Sequence, residues 1–298
     1  MQTYPSPAAV LVEQMAAAAA ADPERAIAFQ GAPGANSHIA VGEAFPEALP
    51  LPCFGFEDAI DAVLEGLAGR ALIPIENSLH GRVADMHFLL PESGLVIVGE
   101  HFLPIRHCLL GSGTIDDVDE AMSHPQALGQ CRHWLRGHGI RAIPFPDTAA
   151  AAAAVVEMGA PPRVGALAPR LAAELYGLPV LAEGVADEEE NTTRFLALAL
   201  EAPDEIGPGP YMTTLMFQVK NVPAALFKAL GGFATNGINM TKLESYQRGG
   251  AFQATEFYAD IEGHPDEPGV ARALEELAFY SRWVRILGTY RRARSREV

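Results

Sequence analysis

The apolar positions of this chain change rhythm along its length, and the changes mark its elements. Residues 26–29 form a short apolar run closed by the turn Gly31-Ala32-Pro33-Gly34. That pattern reads as a buried strand feeding a helix, with Asn36 or Ser37 placed to cap it. Across 56–67 the residues Phe56, Ile60, Val63, Leu64 and Leu67 return at helical spacing. Further on, the pattern predicts strands at 71–75, 95–98, 106–110, 141–145, 164–167, 180–183 and 193–200. It predicts helices at 83–90, 125–136, 148–158 and 171–176, with Asp147 capping the third. Strands alternating with helices imply α/β layers with mostly parallel sheets. Residues 201–211 hold three prolines and two glycines, which suit neither a helix nor a central strand, so they read as a linker. Beyond it come a strand (213–220), a helix (223–234), two strands (238–245 and 253–261) joined through Arg248-Gly249-Gly250, a helix (270–280) and a strand (284–290). That order is βαββαβ, the ferredoxin-like split unit.

Composition narrows the function classes. A chain of 298 residues predicts about two domains, and 49% hydrophobic with 19% charged residues suits an ordinary globular interior. The formal charge of −16 repels phosphate backbones and anionic lipid heads, so neither nucleic acid nor a membrane is expected as a partner. Cys53, Cys108 and Cys131 form no metal spacing and read as buried thiols of a reducing compartment, the cytoplasm. No run approaches the ~18 apolar residues of a membrane helix. Residues 1–24 contain an alanine-rich run, but Glu13 and Gln14 interrupt the apolar stretch and no basic residue precedes Arg25. A secretory signal is therefore not expected, and the segment reads as a mobile or loosely helical leader. The first 219 residues contain no lysine, which removes a P-loop and any lysine Schiff base from them.

Four segments carry candidate chemistry. The turn Gln30-Gly-Ala-Pro-Gly-Ala-Asn-Ser37 is either an anion site at a helix N-terminus or simply a tight βα turn. Ile73-Pro-Ile-Glu-Asn-Ser-Leu-His-Gly81 packs polar residues directly after an apolar strand, where open α/β folds bind ligands; an Asn/Ser turn explains it equally well. In Ser123-His-Pro-Gln-Ala-Leu128 the serine serves either a ligand or a helix cap. In Glu190-Asn-Thr-Thr-Arg-Phe195 the arginine suits a carboxylate ligand or a salt bridge to the acidic run 187–190.

Taken together the four segments resemble the prephenate dehydratase family, in that family's order and at similar spacing. The resemblance rests on Gln30–Ser37, Pro74-Ile-Glu-Asn-Ser78 with Gly81, Ser123–Leu128 with Gln130 and Cys131, and Asn191-Thr-Thr-Arg-Phe195. The βαββαβ unit is similar to an ACT domain, the amino-acid sensor that family carries. The resemblance implies an α/β fold with a two-lobed, periplasmic-binding-protein-like catalytic domain followed by a ferredoxin-like ACT domain. The expected boundaries are a leader (1–24), a bilobal domain (25–200), a linker (201–211), the sensor (212–291) and a basic tail (292–298). Lobe 1 would hold 25–105 and 190–200, and lobe 2 would hold 106–189.

The activity so implied is the decarboxylative dehydration of prephenate to phenylpyruvate, a carbon–oxygen lyase reaction, regulated by phenylalanine. The barrier lies in expelling hydroxide, so a donor to that oxygen is the main need; no cofactor or metal is expected. By match to the family's motifs, Thr193 is the donor, with Asn77, Ser123 and Gln126 orienting substrate and supporting the leaving oxygen. Substrate contacts are expected from Arg194, Phe195, Gly34, Ala35, Ser37, Glu76, Ser78, Ala166 and Ala168. A cation clamped on the departing carboxylate would oppose its loss, so Arg194 is expected on the pyruvyl carboxylate or in a structural role. Glu76 is the best carboxylate near the site, though a strand-end hydrogen bond is the favoured reading. His124 is expected to pack a turn, and His101 and His107 to be satisfied core or surface residues. Effector contacts are expected from Asn221, Pro223, Ala224, Ala225, Leu226, Glu244 and Ser245. Ala224 stands where the family has glycine, and Tyr246-Gln247 where it commonly has Arg-Pro. A homodimer or homotetramer through the ACT domains is implied. Two other readings stand beside this one: an arogenate dehydratase, and a non-catalytic amino-acid-sensing binding protein.

Overall fold

A computed structural model describes residues 3–220, 222–246 and 256–294. The chain divides into two compact units, and the division falls inside two strands. The first unit takes in residues up to Leu89 and His101–Phe195; the second takes in Leu90–Glu100 and the chain from Leu196 onward.

The first unit holds one sheet whole and the larger part of another, each with its own helical cover. One sheet runs in the order Leu49–Cys53, Ala26–Gln30, Arg70–Asn77, Thr192–Ala199, Val96–Pro104, with the short strand Gly81–Arg82 beside Arg70–Asn77. Ala26–Gln30 pairs in parallel with both Leu49–Cys53 and Arg70–Asn77. Leu49–Cys53 has no counterpart in the apolar pattern, because two of its five residues are proline. Pro50 and Pro52 sit opposite Ile27 and Phe29 on the last strand of the sheet. An edge strand tolerates proline, since the missing N–H need not serve a second neighbour.

The other sheet runs Val180–Glu183, Cys108–Leu110, Val164–Ala168, Glu120–Ser123, Arg141–Pro144. It is mixed rather than mostly parallel. Cys108–Leu110 is antiparallel to both its neighbours, while Glu120–Ser123 is parallel to both of its own. The helix Thr148–Glu157 buries an unbroken run from Ala149 to Val155, so its alanines let the backbone lie close against Val164–Ala168. Asp147 caps it by accepting the Ala150 N–H at 2.7 Å. The expected helix over 125–136 breaks at Cys131, whose φ of −113° interrupts the spiral, into Pro125–Gln130 and Arg132–Gly137. All three cysteines are free and buried; burial pushes the thiols of Cys53 and Cys131 up to about 12, so neither is a ready nucleophile.

The leader is a helix, Ser6–Ala21, built into the first unit. Ala8 is fully buried among the alanines of Thr148–Glu157, and the Ser6 hydroxyl donates to Glu157 at 2.5 Å. On the other sheet's side, the Tyr4 hydroxyl donates to the Cys53 carbonyl at 3.0 Å.

The second unit contains the expected βαββαβ order: Tyr211–Val219, Ala225–Thr235, Met240–Tyr246, Glu256–Glu262, Pro268–Tyr280 and Ser281–Arg291. Counted in chain order, its four strands form an antiparallel sheet in the spatial order second, third, first, fourth. Equivalently, Tyr211–Val219 lies between Ser281–Arg291 and Glu256–Glu262, with Met240–Tyr246 outermost. The apolar faces of both helices meet one side of this sheet in a core of Leu215, Phe217, Ala229, Phe233, Ala273 and Leu277. Ala224 has φ +59°, a left-handed conformation that glycine adopts without the Cβ penalty. Pro223, Ala224 and Ser245 are exposed and Ala225 is buried. Glu244 is ion-paired to Lys242 at 2.9 Å and accepts from Tyr246 at 3.1 Å. Asn221, Gln247 and the Arg248-Gly249-Gly250 connection lie outside the described residues.

Candidate active site

Both sheets of the first unit contribute to one cleft of about 370 Å³. That volume suits a small organic acid. Its walls are made where strands give way to helices, so several helix N-termini meet it, including these. Ala35, Asn36 and Ser37 open the helix Asn36–Ala44; His124 and Gln126 open Pro125–Gln130; Asp147 and Thr148 open Thr148–Glu157. Unsatisfied N–H groups and the aligned peptide dipoles give such ends a positive potential, which favours an anion. The cap of Asn36–Ala44 is Ala35, so neither Asn36 nor Ser37 plays the capping role expected of it.

Thr193 is the centre of the polar wall. Its side chain is 9% exposed, and its Oγ1 accepts a hydrogen bond from Asn77 Nδ2 at 3.0 Å. The Asn77 amide is itself held from several directions. Nδ2 also donates to Asn191 Oδ1 at 2.7 Å, while Oδ1 accepts the backbone N–H groups of Leu79 and His80, both at 3.1 Å. With the amide nitrogen aimed at Thr193, the threonine oxygen is used as an acceptor. Its own hydrogen is then left to donate, and donation from Asn77 polarises that O–H bond.

Strand geometry sorts the neighbours of Thr193. Side chains alternate faces along a strand, so Thr193 and Phe195 look into the cleft while Arg194 looks away. Arg194 is 2% exposed and donates from Nη1 to Glu76 Oε1 at 2.9 Å. Glu76 likewise lies on the opposite face from Asn77. Neither Arg194 nor Glu76 lines the cleft. Arg194 thus has an ion-pair partner, Glu76, outside the run 187–190 that the sequence offers as one of its two alternatives.

The remaining expected site residues separate in the same way. Gln126, Ala35 and Ser37 line the cleft. Ser123 does not: it is fully buried, and its hydroxyl donates to the Leu167 carbonyl at 2.6 Å, tying two strands together. Ser78 ties strand ends, its Oγ accepting the Thr192 N–H at 2.9 Å. Ala166 and Ala168 are fully buried in the ladder opposite Leu110 and Cys108. The Gly34 N–H is already taken by His38 Nδ1 at 3.0 Å. Gly34 is needed for another reason. Its φ is +92°, and a Cβ there would stand 2.8 Å from Ala172 Cα. The turn is thereby pressed against the helix Arg170–Tyr176, where the Tyr176 hydroxyl donates to the Pro33 carbonyl at 2.7 Å.

Among the cleft residues, His107 is expected from the sequence only as a core or surface histidine, His124 only to pack a turn and Asp147 only to cap a helix, while Gln130 belongs to a matched motif without an assigned role. His107 is 2% exposed, and its Nε2 lies 2.7 Å from Gln130 Oε1. Gln130 Nε2 lies 3.1 Å from Nδ1 of His80, on the other side of the cleft. Burial pushes the His107 imidazole below its ordinary range, partly opposed by the bond to Gln130. Asp147 is pushed up by burial, although the backbone N–H groups of Ala150, Ala32 and Ala149 and the nearby His124 oppose the rise. Nothing in local spacing announces His107; only the approach of distant strands puts it beside Gln130. Among the described residues no group of three or more His, Cys, Asp or Glu side chains is placed to hold a metal ion.

The prephenate dehydratase family model matches residues 27–203. A Komagataeibacter europaeus protein named bifunctional N-acyl-homoserine lactone acylase/prephenate dehydratase is 50% identical over 270 residues, covering 90% of this chain and 96% of that protein. Arogenate dehydratase/prephenate dehydratase 1, chloroplastic, of Arabidopsis thaliana is 40% identical, covering 89% of this chain and 71% of that protein. Among solved structures, the prephenate dehydratase of Arthrobacter aurescens in complex with L-Phe superposes with a TM-score of 0.81 at 30% identity, covering 90% of each chain.

Proposed function

The chain belongs to the prephenate dehydratase family, and from that premise we propose that it converts prephenate to phenylpyruvate, carbon dioxide and water. The observation that carries this reading is the Asn77–Thr193 pair, a polarised hydroxyl presented in a cleft ringed by helix N-termini. Prephenate is a dianion, and a protein of charge −16 attracts it through local dipoles rather than its net field. Once bound, the electrons of the bond to the ring carboxylate move through the diene and expel the ring hydroxyl. The ring becomes aromatic, so the difficulty lies in the charge gathering on the departing oxygen. Thr193 donates a hydrogen bond to that oxygen, which leaves as hydroxide and takes a proton from solvent to become water, and the four-way hold on Asn77 keeps the donor aimed before the reaction begins. Gln126 and the helix end at Ser37 bind the substrate's acceptors, and Phe195 packs against the ring. Arg194 acts from behind, bracing the strand through Glu76.

The reading extends to the second unit, which we assign as an ACT domain that senses phenylalanine, with residues 223–226, 244 and 245 among the effector contacts and with homo-oligomers formed through it. Its ferredoxin-like fold and the L-Phe complex of the Arthrobacter aurescens relative support this. The expected domain limits (25–200, 201–211 and 212–291) and a cytoplasmic location belong to the same proposal. Among the described residues no helix is long and apolar enough to cross a membrane.

Arogenate is the second substrate to weigh, because the Arabidopsis thaliana relative is named for both activities. Purified protein is assayed with prephenate and arogenate side by side, with and without phenylalanine. Phenylpyruvate is read by its ultraviolet absorbance in alkali, and phenylalanine from arogenate by chromatography. Faster turnover of prephenate and a response to phenylalanine are expected. No product from either substrate at any protein concentration would overturn the enzymatic reading, and faster turnover of arogenate would reassign the substrate.

A further inference from the structure

The leader supplies no residue to the cleft, yet it is attached to both of the sheets that form it. Just before the helix Ser6–Ala21, the Tyr4 ring lies 5.2 Å from the ring of Phe54. Its hydroxyl faces two carbonyls at the ends of Leu49–Cys53 and Ala26–Gln30, Cys53 at 3.0 Å and Gly31 at 3.3 Å. The other attachment is to the helix that covers Val164–Ala168. Ser6 donates to Glu157 from its backbone N–H at 3.0 Å as well as from its hydroxyl, and Ala8 and Leu11 pack on the alanines of Thr148–Glu157.

Between these two attachments sits the turn Gly31–Gly34. Ala32 and Ala35 belong to the same buried cluster as Ala8, so the turn is seated in the apolar layer of the other sheet. It is gripped from several directions. The Gly31 N–H donates to the Cys53 carbonyl at 3.0 Å, the Asp147 carboxylate accepts the Ala32 N–H, and the Tyr176 hydroxyl donates to the Pro33 carbonyl at 2.7 Å. A Cβ on Gly31 would stand 3.0 Å from Asp147 Oδ2, so the turn has little room to shift on that side. Tyr4 closes the opposite side. Burial, and then the Asp147 carboxylate, push its phenol well above the ordinary range, so it stays a donor across neutral pH. The turn runs directly into Ala35, Asn36 and Ser37 of the cleft wall. A helix end favours an anion only over its first turn, so a displaced turn is a weakened site.

We propose that the leader is a strap joining the two sheets, and that Tyr4 is a positioning residue for substrate binding: by holding the Gly31 and Cys53 carbonyls it keeps the helix end at Ser37 against the substrate. This rests on the reading of the cleft as a prephenate site. Tyr4 does not line the cleft and touches no reacting atom. Its effect falls on binding, which the helix end serves, and not on departure of the ring hydroxyl, which Thr193 governs.

Tyr4→Phe keeps the ring against Phe54 and removes only the donor. The expected result is a KM for prephenate raised about threefold to tenfold, the scale of one lost hydrogen bond, with kcat within about twofold. Glu157→Ala cuts the strap at its other attachment, at the far end of Thr148–Glu157 from the cleft, and should raise KM in the same direction by a smaller factor. A leader that serves only stability would lower the urea midpoint in both variants and leave KM unchanged, and that result overturns the proposal. A fall in kcat as large as the rise in KM would mean a general loosening of the site and overturns it as well.

Hydrogen exchange tests the strap without substrate. The amides of residues 31–37 should exchange faster in Tyr4→Phe than in wild type, while those of Glu256–Glu262 in the second unit keep the wild-type rate; unchanged exchange over 31–37 rejects the role of Tyr4. Wild-type protein is assayed with prephenate in parallel. A wild type that forms no phenylpyruvate removes the parent reading, whereas an active wild type beside a Tyr4→Phe variant of unaltered KM removes this inference alone.

Discussion

Replacing Thr193 by valine removes one oxygen while keeping a β-branched shape that suits the strand Thr192–Ala199. The structural loss is small. Asn77 keeps its bond to Asn191 at 2.7 Å and its two backbone donors, and forfeits only the 3.0 Å bond to Thr193. That should cost about 1 kcal/mol of stability, seen as a modest fall in the urea midpoint. The catalytic loss should be much larger. A preorganised donor to developing negative charge is worth about 10²–10³ in kcat, or ~2.7–4 kcal/mol. The expected result is a kcat for phenylpyruvate formation lower by about that factor, with KM within about threefold, because the helix ends and Gln126 still hold the ground state. Thr193→Ser retains the hydroxyl and should recover much of the turnover. Formation of phenylpyruvate is followed by absorbance in alkali, and folding by circular dichroism. A well-folded Thr193→Val protein with kcat close to that of wild type would refute the reasoning from the Asn77–Thr193 pair.

Two further outcomes follow from the same contacts. Breaking the Arg194–Glu76 pair with Arg194→Met should destabilise the fold by about 1–3 kcal/mol, less than for a fully buried pair because Glu76 is 30% exposed. Turnover per folded molecule should fall far less than in Thr193→Val; a hundredfold rise in KM with unchanged stability would instead place Arg194 on a substrate carboxylate. The second concerns pH. Burial lowers the folded-state pKa of His38 and His107, so between that lowered value and the unfolded value near 6.5 the unfolded chain binds more protons. Stability should therefore be full above pH ~6.5 and decline as pH falls below it, by at most ~1.4 kcal/mol per pH unit for each histidine. Urea titrations from pH 8 to pH 5 check this, and a midpoint that rises on acidification would contradict it.

Much of the architecture is legible in local pattern. Period-two runs and helical spacing, read from a few residues at a time, reveal most strands and helices and the βαββαβ order of the second unit. The order of the polar motifs likewise points to the family before any contact is known. Local pattern fails where a neighbour decides. Leu49–Cys53 reads as a proline-rich loop until Ala26–Gln30 arrives beside it to make it an edge strand. The leader's alanines are ambiguous until Ala8 meets the helix Thr148–Glu157.

The site divides along the same line. The alternation of Thr193, Arg194 and Phe195 along a strand is present in the sequence, so it determines that Arg194 faces away from whatever Thr193 faces. Which face borders the cleft is decided only by packing. Ser123 stands in a motif, yet the approach of Val164–Ala168 commits its hydroxyl to the Leu167 carbonyl. His107 stands in no pattern, yet Gln130, 23 residues away, lies 2.7 Å from its Nε2, and its Nδ1 is buried with no hydrogen-bond partner among the described residues. Spacing along a chain encodes which side chains share a face. Hydrogen-bond partners and buried, unpaired atoms belong to the contacts between distant segments, and those exist only once the sheets have assembled.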